Sequence, residues 1–198
     1  MRHLSITFLF AAAIIFTSCK NENQNTDRVE ERTDVTQEDR ARSQEASERI
    51  EIRVEIEAKS GSDLEGEAVF VQENGEVTLT ANFTGLSEGT HAIHLHENAD
   101  CSAEDGTSAG GHWNPTFEDH GKWGDETGYH KGDIGNFEVD ADGNGSITFT
   151  TDEWCIGCDD DTKNIIGTSL IVHDGTDDYT SQPAGNAGTR IGCGVIER

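Results

Sequence analysis

Residues 67–83 read EAVFVQENGEVTLTANF: two runs in which apolar and polar side chains alternate, joined at Asn74-Gly75. A period of two puts one set of side chains on one face of an extended strand. An Asn-Gly pair accepts the positive φ angles of a two-residue turn, so the stretch predicts a β-hairpin with one face buried. The same period opens upstream, where Ile50, Ile52, Val54 and Ile56 alternate with charges. Further short strands are predicted in GTHAIHLHE (89–97), NFEVDADGNGSITFTTD (136–152), IIGTSLIVHD (165–174) and RIGCGVIE (190–197). Seven or eight short strands and no convincing helical period give an all-β sandwich or barrel. The stretch from Glu97 to Lys131 has no period of its own and is rich in Gly, Asp and His. Loops of that length in a compact domain are usually functional.

The chain of 198 residues, 33% apolar with 22 Gly and 2 Pro, fits one globular domain plus a tail. The start, MRHLSITFLFAAAIIFTSCK, carries a basic residue, a short apolar stretch and small residues, the architecture of a secretory signal over residues 1–18 and too short to span a bilayer. FTSC (16–19) resembles a bacterial lipoprotein box, which makes Cys19 a lipidation site. Residues 19–48, almost without large apolar side chains, read as an acidic flexible linker, and 49–198 as the folded domain. The expected location is the cell envelope, outside the cytoplasm, with membrane contact only through the lipid anchor. From Ile50 onward 7 basic residues face 30 acidic ones, a net of −23, which excludes nucleic acid as a partner.

Cysteine usage agrees with export. Besides Cys19 there are Cys101, Cys155, Cys158 and Cys193, which permit three complete pairings. Within WCIGC a local Cys155–Cys158 disulfide is the leading reading, ahead of a redox-active dithiol or an extra metal-capture site. DADGNGSITFTT, from Asp140, begins like a calcium loop. Its twelfth position is Thr151 instead of a bidentate glutamate and its flanks read as strands, so a Gly-rich β-turn is expected.

His94 and His96 stand two apart on a predicted strand, on one face and about 6 to 7 Å from each other, where two imidazoles can converge on one ion. GGHWNP adds His112, FEDHG adds His120, GYHKGD adds His130 and Asp133, and LIVHDGTDD adds His173. Through HAIHLHE, AGGHWNP, HKGDIGN, IVHDGTDD and GNAGTRIGCGVI, residues 50–198 resemble the Cu/Zn superoxide dismutases, in the bacterial exported form. The resemblance implies an eight-stranded Greek-key β-barrel, immunoglobulin-like, with long metal-binding loops. It implies Cu(2+) held by His94, His96, His112 and His173, and Zn(2+) held by His112, His120, His130 and Asp133, with His112 bridging the ions. Four imidazoles suit Cu(II), and three nitrogens with one carboxylate suit tetrahedral Zn(II).

The implied reaction is dismutation of superoxide to dioxygen and hydrogen peroxide by a redox-cycling copper, with His112 as a proton store. By the same resemblance Arg190 attracts and orients the anion, and Asp177, ahead of Asp178, links His94 to His120. Cys101 would pair with Cys193, and His91 matches a structural histidine outside the metal set. The alternative is a copper/zinc-buffering protein on the same fold without turnover. Superoxide is the only small-molecule partner implied, and a monomer or homodimer is the expected assembly.

Overall fold

The computed structural model describes residues 49–198. The expected signal segment 1–18, the lipidation residue Cys19 and the linker 19–48 lie outside the described residues. Eight strands follow one another: β1 Ile50–Ala58, β2 Glu65–Glu73, β3 Glu76–Thr84, β4 Gly89–His96, β5 Gly135–Val139, β6 Gly145–Thr151, β7 Ser169–His173 and β8 Arg190–Val195. All pairings are antiparallel and close a barrel in the order β1-β2-β3-β6-β5-β4-β7-β8. The non-sequential steps at β3–β6 and β4–β7 come from the β3–β4 and β6–β7 connections, which cross over instead of joining neighbours. Among the described residues the only helical element is one 3-10 turn, Thr107–Ala109, and no helix is long enough to cross a membrane.

The Asn74-Gly75 pair forms the predicted turn: Glu73 faces Glu76 across the hairpin, and both turn residues have positive φ (54° and 86°). Asp140-Ala141-Asp142-Gly143-Asn144 is the turn between β5 and β6. Its Asp140 carboxylate accepts from the backbone N–H groups of Asp142 and Asn144 at 2.9 Å each, which closes the loop from within.

Strand alternation fills the barrel. Ile52, Val54 and Ile56 of β1, Phe70 of β2, Leu79 of β3, Ile93 and Leu95 of β4, and Leu170 and Val172 of β7 belong to one buried apolar cluster. Because successive side chains point to opposite faces, His94, His96, Ile171 and His173 lie on the outside of the same two strands. They are buried all the same. The cover is supplied by the connections that follow each strand, residues 97–134 after β4 and 174–189 after β7.

Candidate metal centre

The strands set the first three histidines by register. In β4 and β7, His94 pairs with Ile171 and His96 with Ser169. A bulge between Val172 and His173 then turns the end of β7, and His173 comes opposite Arg190 of β8. His112 is brought in by stitching of the loop onto β4. Trp113 N–H donates to Leu95 O at 2.8 Å, Leu95 N–H to Gly132 O at 2.9 Å, and Gly132 N–H to Trp113 O at 2.9 Å. A Cβ on Gly132 would stand 2.3 Å from Leu95 O, so only glycine permits this approach. The clasp also delivers His130 and Asp133, on either side of Gly132.

The outcome is two groups that share one ring. The donor atoms of His94, His96, His112 and His173 lie within 4.8 Å of one another, and so do those of His112, His120, His130 and Asp133. His112 stands between them, its ring centroid 4.1 Å from that of His94, 5.0 Å from His96, 5.3 Å from His120 and 5.6 Å from His130.

The hydrogen bonds decide which nitrogen of each ring is free. His94 Nε2–H and His120 Nε2–H each donate to a different oxygen of Asp177, both at 2.9 Å. His96 Nδ1–H donates to Gly110 O at 3.0 Å, and His173 Nδ1–H to Gly188 O at 3.4 Å. Six buried ring nitrogens therefore have no hydrogen-bond partner: Nδ1 of His94, His120 and His130, and Nε2 of His96, His112 and His173. Native structures rarely bury so many unsatisfied polar atoms together. Each points into one of the two groups; on a neutral imidazole whose other nitrogen holds the proton, such an atom is the lone pair that binds a metal.

The second group also has the right size. Asp133 oxygens lie 2.8 Å from His112 Nδ1, 3.0 Å from His120 Nδ1 and 3.2 Å from His130 Nδ1. Tetrahedral Zn(II) with bonds of about 2.0–2.1 Å requires ligand atoms roughly 3.3 Å apart. The His120 and His130 contacts lack hydrogen-bond geometry, which fits atoms pointing at a common centre better than at each other. The donor sets thus fit copper in the all-imidazole group and zinc in the mixed one.

Electrostatics keep most of the donors in binding form. Burial, then the neighbouring His112 ring, pushes His96 well below its ordinary value; burial, then His94 and His112, does the same to His173. Burial opposed by the Asp133 hydrogen bond lowers His112 to about 4. Burial would lower His120 too, but the carboxylates of Asp133 and Asp177 outweigh it and raise this ring to about 9. Burial would raise Asp133 and Asp177, yet their histidine partners hold both well below the usual carboxylate range.

A pocket of about 210 Å³ opens onto His96, His112 and His173, with Arg190, Asn186 and Pro183 in its wall. Arg190 is its one cationic side chain. The guanidinium is held by Gly106 O and Gly110 O, both at 2.8 Å, so the carbonyl that orients His96 also fixes the arginine. Cys101 and Cys193 are joined, which ties the loop after β4 to β8 three residues beyond Arg190. Cys155 and Cys158 form the second disulfide, away from both groups.

A model of the copper/zinc superoxide dismutase (SODC) family matches residues 64–196. The chain belongs to that family. Curated superoxide dismutases similar to it include Superoxide dismutase [Cu-Zn] 2 of Aquifex aeolicus, 38% identical over 66% of this chain and 78% of that one. Superoxide dismutase [Cu-Zn] 1 of the same organism is 37% identical over 67% and 79%. Superoxide dismutase [Cu-Zn] 5 of Dictyostelium discoideum is 36% identical over 69% and 91%. Among solved structures, a double mutant of a SOD-like protein from Bacillus subtilis superposes with TM-score 0.66 at 30% identity, covering 74% of this chain and 97% of the other. The clock protein EA4 gives 0.64 at 31%, covering 77% and 95%. One fold serves more than one role, so the donor groups carry the functional argument within the superoxide dismutase family.

Other sequence-selected residues fall as follows. His91 is buried, with Nδ1–H donating to His173 O at 2.8 Å and Nε2 3.2 Å from the Ser87 hydroxyl, so no ring nitrogen is left for an ion. Asp178 is exposed and caps its own loop through Ser181 and Asn186. Two residues escaped sequence reasoning. Asn136 of β5 accepts from Asp177 N–H at 2.8 Å and donates to Asp177 O at 2.9 Å. Gln182 accepts from His120 N–H at 2.9 Å and donates to His120 O at 2.8 Å. Only the place of Asn136 as the last residue of the HKGDIGN motif signals the first; nothing signals the second.

Proposed function

We propose that the protein dismutates superoxide to dioxygen and hydrogen peroxide, with copper among His94, His96, His112 and His173 and zinc among His112, His120, His130 and Asp133. The observation that carries this reading is the set of six buried, unpartnered ring nitrogens converging on two points that share His112. When bound, copper supplies a one-electron couple for two successive superoxide anions, while zinc, which has no redox chemistry, supplies fixed charge.

The side chains do the rest. Arg190, held rigid by two carbonyls, attracts the anion and orients it at the mouth of the pocket. The carbonyls of Gly110 and Gly188 and the carboxylate of Asp177 hold the ring tautomers, so that no reorientation is needed as the charge changes. His112 Nε2 faces the first group and is the atom at which a proton is held for the peroxide. The walls of the pocket limit entry to small anions.

Metal analysis with a dismutation assay of the loaded chain tests the reading. One copper, one zinc and turnover are expected; copper bound without turnover would instead assign a metal-buffering role. The composition of residues 1–48 supports export and attachment through a lipid on Cys19, with the domain working in the cell envelope as a monomer or homodimer. Cys19→Ser should move the protein from the detergent phase to the aqueous phase.

A further inference from the structure

The two cysteines of WCIGC belong to neither donor group, yet the structure holds the segment in detail. Cys155 N–H donates to Lys163 O at 2.8 Å and Ile165 N–H to Cys155 O at 3.0 Å. Ile156 N–H donates to Gln72 Oε1 at 2.6 Å, Gly157 N–H to Asn164 Oδ1 at 2.9 Å, and Trp154 Nε1–H to Lys131 O at 2.8 Å. Trp154, Ile156 and Ile165 are anchored in the main core. The shape of this segment therefore does not depend on its disulfide, which spans a sequence separation of 3. A bond closing so small a ring constrains the unfolded chain little compared with Cys101–Cys193, whose separation is 92.

The two sulfurs differ in access: Cys155 is buried and Cys158 is partly exposed. A guanidinium lies over the turn between them. Arg198 Nη2–H donates to Ile156 O at 3.1 Å, and a Cβ on Gly157, whose φ is +72°, would stand 2.7 Å from that Nη2. Cationic surroundings favour a thiolate. Asp159, Asp160 and Asp161, all exposed, follow directly; they oppose the guanidinium's pull on a thiolate and repel anionic thiols, and the Cys158 sulfur itself lies 3.8 Å from Asp160 O.

We propose that Cys155–Cys158 is a thiol–disulfide exchange site whose substrates are uncharged or basic dithiols. The thiolate of the incoming dithiol attacks Cys158 Sγ. The S–S bond breaks, its electron pair passes to Cys155 Sγ, and that sulfur takes a proton. The second thiol of the reductant then attacks its own sulfur in the mixed disulfide and releases Cys158. Two electrons and two protons pass from the dithiol, which leaves as a disulfide; a disulfide oxidant reverses the exchange. Because the surrounding bonds persist, the reduced pair stays in register and the barrel is untouched.

The test poises the full chain in dithiothreitol redox buffers, tags free thiols and scores each cysteine pair by peptide mass spectrometry. Cys155–Cys158 is expected to reduce with an equilibrium constant at least 100-fold larger than Cys101–Cys193, about 59 mV for a two-electron couple, with dismutase activity and the far-ultraviolet spectrum unchanged. Simultaneous opening of both pairs, or earlier opening of Cys101–Cys193, overturns the proposal. Single variants test access: Cys155→Ser should leave Cys158 reacting with an aromatic disulfide at least tenfold faster than Cys155 reacts in Cys158→Ser. Equal rates would also overturn it, and Arg198→Gln should slow the Cys158 reaction.

Discussion

Asp177 accepts a hydrogen bond from each of two rings that belong to different metal groups, so one carboxylate sets the tautomer of His94 and of His120 together. Removing it frees both Nε2 atoms to pick up other partners and lets both rings turn. Asp177→Ala should weaken copper and zinc binding together, by about 10- to 100-fold each, read by competition against chelators of graded affinity; loss of one metal alone would place the carboxylate in a single site. Arg190 acts on the substrate instead. Its guanidinium is hydrogen-bonded to two backbone carbonyls, so Arg190→Gln should lower kcat/KM for superoxide by about tenfold or more while copper content stays at the parent level. A fall in copper content of the same size would make the arginine structural.

At the scale of elements, β8 is where the fold and the site meet, because it presents Arg190 at one end and Cys193 three residues on. With a sequence separation of 92, the Cys101–Cys193 bond should contribute roughly 4 to 5 kcal/mol by loop closure. A Cys101→Ser, Cys193→Ser double variant should lose most of that in urea unfolding, with a larger m-value because the unfolded chain is no longer crosslinked, and its Arg190 should lose its grip on Gly106 and Gly110. The strands themselves were legible because a period of two needs only the local sequence, as in 67–83, and the Asn74-Gly75 turn needs only its own dihedral angles. The histidines of the two donor groups stood out because seven of eight histidines fall in the folded part and cluster in a few short motifs. Asn136 and Gln182 were not, since an amide side chain looks alike on a surface and against a buried peptide group; only tertiary placement sets it against Asp177 or His120. The bulge at Val172/His173, which aims the last histidine, likewise has no signature in LIVHD.

The whole molecule sets a charge problem that its pocket must solve. With 7 basic and 30 acidic residues from Ile50 onward, the domain carries a net charge of −23 and repels an anionic substrate at long range. Near the opening the balance reverses, because Arg190 is the one cationic side chain of the pocket wall and the bound metals add positive charge behind it. The two fields act over different distances: the repulsion is summed over the surface, whereas the attraction is confined to a few ångströms around the guanidinium. Salt screens exposed charges beyond about 10 Å at 0.1 M and leaves a partly buried contact less affected. Raising ionic strength from about 10 mM to about 150 mM should therefore increase kcat/KM for superoxide, on the order of twofold, measured by pulse radiolysis in an inert salt. The Arg190→Gln variant should show at least as steep a rise, having lost the local attraction but kept the repulsion. A rate that falls with salt in the parent would mean that attraction near the pocket extends past the Debye length, and that the acidic surface contributes little to the field along the approach.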